Sequence, residues 1–158
     1  MEPDPRQTYC LDTSSLLEAW GRSYRPANWP SFRMKLEKLI ADGRCVICEE
    51  VKTEIEDDAA NLIDWARKQP GFLVNYDRDQ ELVVKQIMRD YPRLANLNRN
   101  KGWADPFVVA SAKCRGYTVV TEEGPGAAEG PKIPFVCKKL GVSCISLVSM
   151  IEQEGWTF

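Results

Sequence analysis

The sequence predicts a single α/β domain built on a mainly parallel sheet, and three observations carry that reading. Five short, mostly apolar runs of strand length alternate with stretches of helical spacing, the pattern of a parallel sheet covered on both faces. The chain has 158 residues, 44% of them hydrophobic, enough for one sizeable core and too few for two ordinary domains. No apolar run approaches the ~18 residues of a membrane span, and Met1 to Gln7, with two prolines and two acids, lack the basic flank and apolar stretch of a signal peptide. A cytosolic chain without membrane association is therefore expected.

The elements follow in order. Residues 8–12 read as the first strand, ending in Asp12 just before a helix. Trp29, Phe32, Leu36, Leu39 and Ile40 repeat at helical spacing, and residues 44–48 form the second strand. Ala59, Leu62, Ile63 and Ala66 mark the next helix, residues 72–74 the third strand, and Val83, Val84, Ile87 and Met88 a further stripe; all these stripes are read as core contacts. Residues 107–112 are apolar nearly all round, so that helix should lie deep in the domain. Residues 117–121 and 143–146 complete the set of strands. Loops are expected at residues 21–30 and 91–102, and at 122–131, which holds three glycines and two prolines.

Composition narrows the chemistry. Without a single histidine, catalytic sets with an imidazole base and histidine-ligated metals are excluded. The six cysteines (Cys10, Cys45, Cys48, Cys114, Cys137, Cys144) are scattered through mostly apolar stretches and read as buried free thiols. Cys45 and Cys48 have the spacing of a zinc pair, yet residues three apart on a strand face opposite ways and no second pair exists. A formal net charge of -2 lacks the basic excess of many nucleic-acid binders, although a site for divalent cations must itself be acidic.

The acids recur at equivalent positions. Asp12 ends the first strand, Glu122 and Glu123 follow the fourth, Asp105 opens the deep helix, and Glu50 and Glu54 lie on the helix after the second strand. Open α/β sheets bind ligands beyond the carboxyl ends of their strands, near the point where strand order reverses. Carboxylates gathered there would repel one another, and a divalent cation removes that cost. Magnesium and manganese prefer oxygen ligands, and two such ions about 4 Å apart suit phosphodiester hydrolysis. Each acid also has a structural reading. Asp12 and Asp105 could be helix N-caps, the latter with Pro106 at the first helical position. Glu50 and Glu54 could be a solvated face, and Glu122 and Glu123 loop acids.

The ordered set of these segments resembles the PIN-domain ribonucleases, VapC-like toxins among them. Four segments carry the resemblance: Tyr9-Cys10-Leu11-Asp12-Thr13-Ser14-Ser15, Glu49-Glu50-Val51-Lys52-Thr53-Glu54-Ile55, Ala104-Asp105-Pro106-Phe107-Val108, and Val119-Val120-Thr121-Glu122-Glu123. The last has Glu where that family more often has Asp. The sequence is most similar to a PIN-like branch long catalogued only as a domain of unknown function, with residues of the type Lys132-Ile133-Pro134 and Cys137 before the last strand. The resemblance implies a three-layer α/β/α fold with strand order 3-2-1-4-5. It also implies Mg2+- or Mn2+-dependent endonucleolytic hydrolysis of single-stranded RNA, a homodimer and a small antitoxin partner. In that reading Asp12, Glu54, Asp105 and Glu123 are the catalytic and metal-binding acids, with Glu123 bound directly or through water and Glu122 its rival as fourth acid. Thr13, Ser14 and Thr121 would orient carboxylates or water, and Arg99 and Lys101, helped by Asn98 and Asn100, would contact RNA.

Rival functions fit less well. A haloacid-dehalogenase-like phosphatase needs a second Asp two residues after Asp12, where Ser14 stands. The Gly-rich loop lacks the Lys and Ser or Thr pair of a P-loop. The serious alternative is a non-catalytic PIN-like module that binds RNA or protein without cutting.

Overall fold

The computed structural model describes residues 7–55, 60–95 and 103–158. Five parallel strands form one sheet in the order β3-β2-β1-β4-β5. They are β1 (Tyr9–Leu11), β2 (Cys45–Cys48), β3 (Leu73–Val74), β4 (Thr118–Val120) and β5 (Cys144–Ile145). Every residue of β1, β2 and β4 is buried, so side chains on both faces are covered. The architecture is three-layered, α/β/α, with the strand order expected. The sheet is parallel throughout rather than mainly so.

Several helices begin or end for a local reason. Asp12 is the N-cap of α1 (Thr13–Leu17), which runs into a π-helical turn at Glu18–Arg22. Proline occupies the first turn of α2 (Pro30–Ala41), where its missing N–H costs nothing. After β2 come α3 (Glu49–Ile55) and α4 (Ala60–Lys68). A reciprocal capping box between Asp77 and Gln80 starts α5 (Arg78–Asp90). The deep helix, α6 (Asp105–Arg115), stops at Gly116, whose φ of 73° suits a residue without Cβ. It packs on β1, β2 and β4 with α5 and α7 (Ile133–Leu140) beside it. The chain closes with α8 (Leu147–Gln153), capped by Ser146.

The expected stripes hold with three exceptions. Trp29, at the cap position before α2, is exposed, and so is Met88, because α5 buries the narrower line Gln80, Val84 and Ile87. Ala59 lies outside the described residues. The thiols are all free, but Cys114 is exposed and Cys144 half-buried. Helices α7 and α8 carry no expectation from sequence. No helix among the described residues is long and apolar enough to cross a membrane.

The amino edge of the sheet is tied by a polar cluster. Arg44 holds the buried Glu154 through two hydrogen bonds of 2.8 and 2.7 Å, and the Tyr9 hydroxyl donates to the same carboxylate at 2.7 Å. This cluster docks the residue after α8 against β1 and β2, far from the carboxyl edge where the acids gather.

Candidate functional site

Strand order reverses between β1 and β4, which pair directly with Leu11 opposite Val120. The residues following these strands therefore emerge side by side. Asp12 is 1% exposed and fixed by four donors. Its carboxylate accepts from the Ser15 N–H at 2.8 Å, the Ser14 hydroxyl at 2.9 Å and the Thr121 hydroxyl at 2.5 Å, while the Ser15 hydroxyl donates to its carbonyl at 3.1 Å. Ser15 also donates to the Val120 carbonyl at 2.8 Å, stitching the β1–α1 turn to β4. Burial pushes Asp12 up to about 6 even though those hydrogen bonds pull it down.

Asp105 corrects the helix-cap expectation. The cap position belongs to Ala104, and Asp105 is the first residue of α6. Ala104 is already helical, and its carbonyl accepts from Phe107 and Val108, so the first turn closes one residue earlier than the Asp-Pro pair suggests. The Glu54 carboxylate accepts the Ala104 N–H at 3.0 Å, satisfying one of the helix's unpaired donors. Asp105 is thereby left without a capping role. It is 6% exposed, and among the described residues no hydrogen-bond partner or cation meets its carboxylate. Burial, then the charges of Glu123, Asp12 and Glu54, push it up to about 9.

The two acids after β4 take different roles. Glu122 accepts the Leu147 N–H at 2.8 Å, at the start of α8. Glu123 accepts the Ile133 N–H at 3.1 Å, at the start of α7, and is the carboxylate whose charge bears most on Asp105. Both backbones lean on the same hydroxyls, Glu122 donating to Ser14 at 3.0 Å and Glu123 to Thr121 at 3.1 Å. Of the two, only Glu123 is among the charges that bear on Asp105.

Glu50 and Glu54 are not a solvated face. Glu54 reaches the α6 start, whereas Glu50 is 8% exposed with a buried Oε1 that no donor meets. Burial raises the Glu50 pKa. Thr13 also departs from expectation, since its buried Oγ1 has no partner. As first residue of α1 it precedes the positions that an N-cap addresses, and Ser14 and Ser15 take the contacts instead. Sequence reasoning overlooked Ser15 and the helix starts that receive Glu122 and Glu123. The signals were present in Ile133-Pro134 and in Ser146 three residues before Ser149. Arg99, Lys101, Asn98 and Asn100 lie outside the described residues.

Among the described residues no three acidic or thiol side chains are drawn into a preassembled cation cage. Asp12, Glu54 and Glu123 are the three charge neighbours of Asp105, and the ion pairs found among the described residues involve none of Asp12, Asp105 and Glu123. An all-oxygen donor set with uncompensated negative charge suits Mg2+ or Mn2+ by hardness and sign. Cys10 and Cys48, whose sulfurs lie 4.0 Å apart on neighbouring strands, are buried beneath this edge.

The fold and site define an α/β protein with an acidic centre at the switch point of a parallel sheet. Residues 9–158 match the model of a family described as a domain of unknown function, DUF4411, and the chain belongs to that family. No curated protein matches the chain.

Proposed function

We propose that this chain is a divalent-cation-dependent endoribonuclease of the PIN type that hydrolyses single-stranded RNA, serving as the toxin of a toxin and antitoxin pair and working in the cytoplasm. The observation that carries the reading is Asp105: a buried carboxylate without a helix-capping role, surrounded by the charges of Asp12, Glu54 and Glu123. Burying such a group without a counter-charge costs stability whether it ionises or holds its proton, and a fold that tolerates the cost has a use for the carboxylate. Asp12, Glu54, Asp105 and Glu123 would hold Mg2+ or Mn2+, which when bound neutralises the phosphodiester and lowers the pKa of attacking water. Ser14 and Thr121 fix the orientation of Asp12, and Glu54 fixes the start of the helix that carries Asp105. The expected partners are single-stranded RNA, a small antitoxin protein and a second copy of the chain.

Purified protein should cut single-stranded RNA in Mg2+ or Mn2+ and stop in EDTA; cleavage that persists in EDTA defeats the metal reading. Expression without a partner should arrest growth, and normal growth with abundant folded protein defeats the toxin role. One observation favours the non-catalytic alternative: the Glu123 carboxylate is already engaged by the Ile133 N–H. RNA binding without cleavage in either metal would select that alternative.

A further inference from the structure

Beyond the acidic centre, a cavity of about 270 Å³ opens between the end of α5 and the loop that follows Glu123. Tyr91, Pro92 and Arg93 form one wall, and Ala128, Glu129 and Pro131 the other, with Asp90 at its border. The volume falls just short of the roughly 300 Å³ at which pockets begin to hold drug-sized ligands. It suits one planar heterocycle.

Both walls are fixed. The loop is a tight hairpin: Ala127 and Gly130 exchange backbone hydrogen bonds of 3.2 Å, and Gly126 bridges Pro131. Gly126 is required there, because φ is 69° and a Cβ would stand 2.7 Å from the Lys132 nitrogen. Arg93 spans the cavity by donating from Nη1 to the Glu129 carbonyl at 2.9 Å. The half-buried Tyr91 ring is seated edge-on against Phe135 of α7, 6.2 Å between centroids. The same hairpin begins at Glu123 and ends at Ile133, whose N–H Glu123 accepts, so cavity and acidic centre share one rigid connection.

We infer that this cavity receives a single unstacked nucleobase of the RNA strand whose backbone crosses the acidic centre, an inference that rests on the ribonuclease reading above. Tyr91 contributes an aromatic ring to the lining and the prolines flat apolar surface, the components that bind bases largely regardless of sequence. The Arg93 guanidinium retains further N–H donors for base or phosphate oxygens. The carboxylates of Asp90 and Glu129 are acceptors suited to exocyclic amino groups.

The test is equilibrium binding of fluorescein-labelled single-stranded RNA to the full chain in EDTA, with a single abasic nucleotide moved along the strand. Tyr91→Leu, which keeps an apolar contact with Phe135, should weaken binding about 5- to 150-fold, the range for loss of one base stack. Tyr91→Phe should bind as wild type. One abasic position should cost wild type the same factor and cost Tyr91→Leu nothing more. If wild-type protein binds and cuts RNA but Tyr91→Leu binds equally well, or every abasic position is equivalent, the base site is overturned and the ribonuclease reading stands. If wild-type protein neither binds nor cuts RNA, both fall together.

Discussion

Replacing Asp105 by Asn should make the metal-free protein more stable while abolishing its activity. The carboxyl is 6% exposed and pushed up from the ordinary aspartate value of 3.8 to about 9, chiefly by burial and then by Glu123, Asp12 and Glu54. A raised folded-state pKa means that the group's contribution to stability is complete below 3.8 and is lost as pH rises through about 9. At about pH 7.5, keeping this carboxyl protonated costs at most about 5 kcal/mol, at 1.36 kcal/mol per unit. The amide has no such cost, and no cap is lost because Ala104 holds that position. Even a fifth of the maximum, about 1 kcal/mol, raises Tm by roughly 2–4 °C for a chain of this size. Thermal denaturation in EDTA should therefore show the Asn variant above wild type, with a gap that is small near pH 4 and widens toward pH 9. Adding Mn2+ should then raise wild type more than the variant, because stabilisation by a ligand requires its site. An Asn variant that melts at or below wild type in EDTA at pH 9 refutes the argument that Asp105 is a buried charge without compensation.

Further predictions separate the site from its scaffold. Glu54→Gln should lose most RNA cleavage, whereas Glu50→Gln should cut normally and melt no lower than wild type, because Oε1 of Glu50 has no donor to lose; a dead Glu50→Gln protein in a cleavage assay reverses the assignment. Thr121→Val removes both the 2.5 Å bond to Asp12 and the acceptor for the Glu123 N–H. Calorimetry should show a loss of about 1–3 kcal/mol, and Mn2+ titration a 10- to 100-fold weaker affinity; unchanged affinity would show that Thr121 does not orient Asp12. At the opposite edge, Glu154→Gln breaks a buried pair with Arg44 and should cost about 3 kcal/mol without altering cleavage, read from denaturant unfolding and the RNA assay together; an equally large fall in activity would mean that the two edges are coupled.

The sheet was legible because strands buried on both faces must read as short apolar runs, and residues 8–12, 44–48 and 117–121 could hardly be anything else. Strand ends were trimmed by a residue or two, mostly polar ones such as Thr8, Asp12, Arg44 and Thr121, since composition beside a strand does not show where ladder pairing stops. Helices α7 and α8 escaped notice because eight and seven residues give too few turns for a stripe. What marks them is a proline and a serine cap at their starts. The acids were legible as positions but not as roles. Asp105-Pro106 has the composition of a cap, and only the path of the preceding turn shows that Ala104 fills that place. Glu50 and Glu54 are indistinguishable by spacing, and the difference arises from what each meets: an N–H of residue 104 for Glu54, and for Glu50 a buried Oε1 that no donor reaches.

The four acids are held by different devices, and the differences indicate which of them bears the cost of assembly. Asp12 caps α1 and takes two hydroxyl donors, Glu54 takes the N–H that α6 leaves unpaired, and Glu123 takes one at the start of α7. Each of these three contacts satisfies a backbone donor that the fold must satisfy anyway, so placing a carboxylate there is close to neutral for stability. Asp105 is the exception: its first-turn position brings some benefit from the helix dipole, but no direct partner offsets its burial. A glutamate at position 123 follows from the same logic, because its extra methylene lets the carboxylate reach across to Ile133 while its backbone stays bound to Thr121. Three acids stabilise the helices they touch, and the fourth is left for a cation to satisfy.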